Sequence, residues 1–316
     1  MADVAYMPAG EAPRAPNPVL GYAMVIGAAT LWAVNGTVSK IILGTGPSTW
    51  QVAQLRVTGA ALVLVLVLGL ARRDLLRVTR RDLPMLALFG VAGLTFVQLF
   101  YLFAIRRLPI GVALLVQYLA PVLVALYARF FAHQHVRSRM WAALALALTG
   151  LVLVLRVWSG VTLDRTGLAA ALAAALAFAL YILLAERAVT RRHPVSLLTF
   201  GLLFATLFWA LAQPLWRFPF GELTASVSLQ GHLGDVHLPL FVLALAMIVL
   251  GTVVPFALLV TALQHVSATS AGLVAMLEPV VATLVANLWL GETLSPVQLA
   301  GGAVVLVAVA LAQTAR

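Results

Sequence analysis

AIRRLPIGVALLVQYLAPVLVALYARFFAHQ (Ala104–Gln134) and ALQHVSATSAGLVAMLEPVVATLVANLWLGE (Ala262–Glu292) lie 158 residues apart and align without a gap. Nine positions are identical: Ala104/Ala262, Ala113/Ala271, Leu115/Leu273, Val116/Val274, Leu119/Leu277, Pro121/Pro279, Val122/Val280, Leu126/Leu284 and Ala128/Ala286. Alanine, leucine and valine are common throughout this chain, so the matched proline carries most of the information. The match predicts a duplication, with halves near 20–156 and 167–314.

Composition says what was duplicated. Of 316 residues 63% are apolar and only 9% charged, too few charges to cover a water-facing surface. The apolar runs are long and continuous, each near the ~20 residues needed to cross a bilayer core, and lack the short alternating segments of an outer-membrane barrel. Ten spans are expected, at roughly 20–41, 49–71, 83–105, 110–130, 140–156, 167–187, 195–215, 239–263, 267–290 and 295–314. The fold class is therefore an all-α integral membrane protein. Five spans per unit force the second copy to enter the bilayer from the opposite side, giving an inverted repeat, an architecture of secondary transporters with the site near the midplane. Residues 1–19, with Pro13, Pro16 and Pro18 but no basic start to an apolar core, are expected to form a disordered cytoplasmic tail. The stretch from Trp216 to Leu238, polar and punctuated by glycine and proline, is the one long linker expected.

The net charge of +10 reads as topology rather than nucleic-acid binding. With the N-terminus inside, 13 arginines fall on the cytoplasmic side and 6 lysine or arginine residues on the other, which predicts both termini in the cytoplasm. The single lysine, Lys40, against many arginines suggests a GC-rich bacterial genome, hence a bacterial plasma (inner) membrane. There is no cysteine, so thiol catalysis and thiolate metal sites are excluded. His133 and His135 make a poor metal motif, and no GxxxxGK[ST] motif supports ATP use. Neither a metal nor another cofactor is expected, and an enzyme is disfavoured because the spans hold no nucleophile–base cluster.

Several residues make the chain similar to a known family. LWAVNGTVSK (Leu31–Lys40), the Arg56 span that starts after Pro47, AIRRLPIGVA (Ala104–Ala113) and LEPVVATLVANLWLGE (Leu277–Glu292) resemble EamA-type members of the drug/metabolite transporter (DMT) superfamily. The resemblance covers residues 20–314 as two EamA-like units. It implies ten helices around a central cavity and, commonly, export of amino acids or other small metabolites. The first half departs from the pattern, with Ala120-Pro121 for Glu-Pro and His133-Gln134 for Gly-Glu, so only the second half supplies the carboxylates.

Glu278 is the sharpest candidate. It falls close to the bilayer centre, where an ionised acid costs several kcal/mol unless paired or hydrated. It can couple protons or balance a substrate ammonium; as structure, it can bond carbonyls freed by Pro279. Arg56 can attract a carboxylate through its planar donor fork or snorkel as a helix anchor. Lys40 and Glu186 occupy comparable helix ends and suit gating or solvation. Trp32 with Asn35, and Gln98 with Tyr101, share helix faces. Gln117 and Tyr118 precede Pro121, and Tyr181 lies deep in the sixth span. These polar groups suit a cavity wall or inter-helix bonding. Pro121, Pro279 and Pro255 are candidate hinges. The sequence thus predicts a secondary transporter, an exporter of small polar metabolites with amino acids leading, working by alternating access with optional proton coupling. A sugar or nucleotide-sugar permease of the same fold, or a membrane protein that transports nothing, are the alternatives. The partners expected are a small-molecule substrate, protons and the lipid bilayer, and either a monomer or a homodimer fits.

Overall fold

A computed structural model of the protein describes residues 16–105, 107–108, 110–156, 164–213, 218–291 and 293–313. Arg106, Arg217, Glu292 and most of the expected tail therefore lie outside the described residues. Among the described residues, ten helices are long and apolar enough to cross a membrane: Pro18–Leu43, Thr49–Ala71, Leu83–Ala104, Val112–Phe130, Ser138–Leu155, Arg165–Ala188, Pro194–Ala212, Leu240–Ala262, Ala268–Leu290 and Pro296–Gln313. They are the two sets of five that the repeat predicts, referred to below as the first to tenth spans. The first begins slightly before the expected boundary because Pro18 opens its first turn and Asn17 Oδ1 accepts from the Leu20 amide.

Side-chain caps place the other starts. Ser48 and Gln51 exchange bonds in a reciprocal box ahead of the second span. Asp164 accepts from the Gly167 amide at 2.6 Å ahead of the sixth. The Thr166 hydroxyl, the Gly167 amide and the nearby Arg107 charge together hold the Asp164 carboxyl below its usual range.

Leucines four apart stay exposed on single faces, as at Leu62, Leu66 and Leu70, Leu172, Leu176 and Leu180, and Leu203, Leu207 and Leu211. These faces meet lipid; in water they would not be left uncovered. Inward faces are rich in small residues, with Ala28, Ala29, Ala171, Ala174, Ala175 and Ala185 fully buried, so backbones approach closely. The halves interleave: the first span packs on the eighth and ninth, the sixth on the third and fourth, the second on the seventh, the fifth on the tenth. The last pair crosses at Gly150 and Gly301, where a methyl group on either would lie 2.8 Å from the other's carbonyl oxygen.

The fourth and ninth spans are each two helices. Ile110–Gln117 gives way to Ala120–Phe130, and Ala268–Ala275 to Glu278–Leu290, with Pro121 and Pro279 in the first turn after each break. The prolines lack the amide that would continue the ladder, so both spans break at matched depth. The third and eighth spans carry π-helical stretches, Phe89–Thr95 and Val249–Val253, the second just before Pro255.

The 7–8 linker is more than a polar connection. Ser226–Ser228 pairs antiparallel with His237–Pro239, the only strands among the described residues. Leu223, Val227, Leu229 and Leu238 pack with Val38, Ile41 and Ile42 of the first span, Val52 of the second and Leu243 and Met247 of the eighth. Trp289 Nε1 donates to the Leu229 carbonyl at 2.9 Å, and the His232 ring bonds the Leu288 carbonyl at 3.1 Å. Gly231, at φ +54°, lies so close to Trp289 that a methyl group there would sit 2.2 Å from its carbonyl oxygen. The linker thus closes one end of the bundle over the ninth span. At the opposite end the shorter 2–3 linker is clasped by Arg192, which bonds Asp82 Oδ2 at 3.1 Å and the Arg77 carbonyl at 2.6 Å.

Candidate functional site

The two broken spans meet at their breaks. Tyr118, three residues before Pro121, donates its hydroxyl hydrogen to Glu278 Oε2 at 2.8 Å. Glu278 stands in the first turn of Glu278–Leu290, where free amides and the helix dipole favour negative charge. One side chain from each half thus forms the central bond, and the breaks that the prolines impose are what place them there. Pro121 packs against Gly272 of the ninth span.

Arg56, from the second span, acts on Glu278 through space without a direct ion pair, and Tyr101 from the third lies within electrostatic reach of both Glu278 and Tyr118. Arg56 is half-buried, and its Nε is sealed from solvent without a hydrogen-bond partner. The same holds for Trp32 Nε1, Asn35 Oδ1, Gln117 Oε1 and Tyr181 Oη. Buried polar atoms are nearly always bonded, so each of the five keeps bonding capacity that no protein group among the described residues takes up. Among the described residues, Thr206 Oγ1 and Trp209 Nε1 complete the set of buried unbonded atoms, near the second–seventh span contact. There Gln54 Nε2 bonds the Trp209 and Gln213 carbonyls at 3.3 and 2.7 Å.

Phe256, which sequence reading passed over, packs against two of these residues. Its ring meets Trp32 edge-on at 5.1 Å and Tyr181 edge-on at 6.0 Å. Its place one residue after Pro255 was the available signal. Gln98 is half-buried on the helix that carries Tyr101, and no bond among the described residues ties it to the cluster.

At the end that carries Arg187 and Arg191, a cavity of about 580 Å³ opens between the third, fourth, sixth and ninth spans, lined by Met85, Val124, Tyr127, Leu183, Glu186 and Arg187. Glu186 Oε1 accepts from the Ala268 amide at 2.6 Å and so tethers the sixth span to the start of the ninth. Arg187 bonds the Tyr127 hydroxyl and lies over its ring at 5.2 Å from the centroid. A second cavity of about 290 Å³ at the same end is lined by Tyr22, His135, Arg137 and His265. No cluster of three metal-ligating side chains occurs among the described residues.

The profile of the EamA-like transporter family matches residues 19–156 and 165–314. The threonine/homoserine exporter RhtA of Escherichia coli K12 is 31% identical over 236 residues, 74% of this chain and 72% of that protein. A probable terminal-alkyne amino-acid exporter of Streptantibioticus cattleyicolor is 29% identical over 256 residues, 81% of each. One solved crystal structure superposes with a TM-score of 0.75 over 93% of this chain and 96% of that one, at 19% identity, which establishes the shared fold. The chain belongs to the EamA-like transporter family; it is a multi-pass membrane protein for secondary transport of small metabolites, not an enzyme.

Proposed function

For this member of the family we propose export of small zwitterionic amino acids from the cytoplasm of a bacterium, by alternating access around Glu278 with exchange for a proton. The observation that carries the reading is the bond between Tyr118 and Glu278, which joins the two halves at the breaks of their central helices. Arg56 offers a fork to a substrate carboxylate and Glu278 a counter-charge to its ammonium. Trp32 Nε1, Asn35 Oδ1, Gln117 Oε1 and Tyr181 Oη supply further donors and acceptors for a small polar cargo. The amino-acid class is supported by the names of two relatives, and an anionic sugar phosphate or nucleotide finds, among the described residues, a single deep cation, Arg56.

In this mechanism the cargo enters from the arginine-rich end, where the larger cavity opens. The cargo ammonium displaces the proton or the Tyr118 hydroxyl from Glu278, the halves rock, and the cargo leaves as a proton returns. Both termini lie in the cytoplasm, as the 13-to-6 charge split favours. A pH difference of one unit supplies about 1.4 kcal/mol per proton, enough for a tenfold gradient at one-to-one exchange. The test is flux of threonine and homoserine in proteoliposomes with and without an imposed pH gradient. Gradient-driven accumulation is expected for the wild type and not for Glu278→Gln. Accumulation by Glu278→Gln equal to wild type removes the carboxyl from coupling.

A further inference from the structure

The π-helical stretches Phe89–Thr95 and Val249–Val253 fall in register under the 158-residue shift that relates the fourth and ninth spans, and Gly93 maps onto Gly251. Both wide turns are held in the same way. Thr95 Oγ1 donates to the carbonyl of Gly90 at 3.1 Å and Thr252 Oγ1 to that of Met247 at 3.0 Å, each reaching five residues back, and both threonines are buried. A π-turn is one residue inserted into a helix, and such turns concentrate at functional sites.

Each glycine also receives a side chain from the opening helix of the other repeat. A methyl group on Gly251 would lie 2.0 Å from Asn35 Oδ1, and one on Gly93 3.2 Å from Tyr181 Cβ. Asn35 lies 17 residues after Pro18 and Tyr181 lies 16 after Arg165 in their helices, so they sit at equivalent depth within one residue. The two turns are joined through rings. Phe89, at the start of the first, stacks on Tyr181 at 5.2 Å; Tyr181 meets Phe256, just beyond the second, at 6.0 Å; Phe256 meets Trp32 at 5.1 Å.

We infer that the two π-turns are paired hinges, and that Tyr181 and Phe256 are positioning residues that oblige them to switch together. Converting a π-turn to α-helix removes the extra residue from the turn and rotates everything beyond it by about 100° with a shift of about 1.5 Å. If one turn switched alone, Tyr181 would lose either Phe89 or Phe256, and packed interfaces of this kind hold discrete arrangements rather than sliding. The rings that carry the linkage also bear the unbonded Trp32 Nε1 and Tyr181 Oη, so cargo contacts the same chain. The inference rests on alternating access from the proposed function, and its test needs no substrate.

Two single-cysteine reporters serve, Val38→Cys in the apolar cluster under the 7–8 linker and Thr269→Cys beside the larger cavity. Their labelling rates with a maleimide are measured in detergent solution. Thr252→Val and Thr95→Val keep side-chain shape while removing the hydroxyl; each is expected to change both reporters about tenfold in opposite directions. The double variant is expected to do no more than either single one. Placing Thr252→Val in a Phe256→Leu background is expected to move one reporter without the other. Gly251→Ala, which collides with Asn35, is expected to lock the labelling pattern, and Asn35→Ala to release it. Additive effects of the two threonine variants, or reciprocal labelling preserved in the Phe256→Leu background, overturn the linkage. Threonine flux failing while reciprocal labelling persists would instead count against the cargo assignment alone.

Discussion

Replacing Tyr118 by phenylalanine deletes one oxygen and leaves Glu278 Oε2 without its donor. Leaving a buried acceptor unsatisfied costs about 1–3 kcal/mol, so flux should fall about tenfold in Tyr118→Phe with the ten spans still formed. Wild-type flux from this variant would make the bond incidental to transport. Both partners stood out in the sequence as an acid and a phenol at mid-span depth, open there to a structural as well as a functional reading. Their bond did not, since it depends on how two helix breaks face each other. Arg56 was legible as a guanidinium inside the second span, but the sealing of its Nε depends on packing around that span. Phe256 escaped notice because one phenylalanine in an apolar run is indistinguishable by type from its lipid-facing neighbours.

Helix boundaries were accessible to within a few residues from hydropathy, and the breaks in the fourth and ninth spans from Pro121 and Pro279. The π-turns were not. An inserted residue leaves the composition of a span unchanged, and only the Gly93/Gly251 match marks the two turns. Close crossing of the fifth and tenth spans was not readable, because neither Gly150 nor Gly301 says by its type which helix it meets. That crossing makes a direct prediction. Gly150→Val must push aside the Gly301 carbonyl and Val305, at a cost of about 1–3 kcal/mol for overpacking. Thermal unfolding in detergent should show a lower midpoint for this variant, while Gly36→Ala, which meets nothing within 4 Å, should unfold as wild type.

Across the molecule the two repeats are alike in their spans and unlike in their ends. The linker of the second repeat builds a hairpin and an apolar cluster over the first, second, eighth and ninth spans; the corresponding linker of the first is a short clasp. Its few leucines and valines, spread among glycines, prolines and serines, read as a loop because no period in them points to a common face. Tightening at Gly231 is the weak point of that closure. Gly231→Ala places a methyl group against Trp289 and forbids a comfortable φ of +54°, so it should expose Val38→Cys to maleimide several-fold faster, the direction expected for loosening the closed end. Unchanged labelling would show that the linker does not hold that end shut. The lone acid at mid-span has a further, electrical consequence. Ala120 stands where the first repeat would have carried a second carboxyl, so under the proposed exchange one cycle has one place for one proton. A zwitterion brings no net charge, and returning one proton for it moves one positive charge inward per turnover. Membrane voltage then becomes a driving force of about 2.3 kcal/mol for each 100 mV. A potassium diffusion potential, negative on the cytoplasmic face, should therefore accelerate export in proteoliposomes held at equal pH.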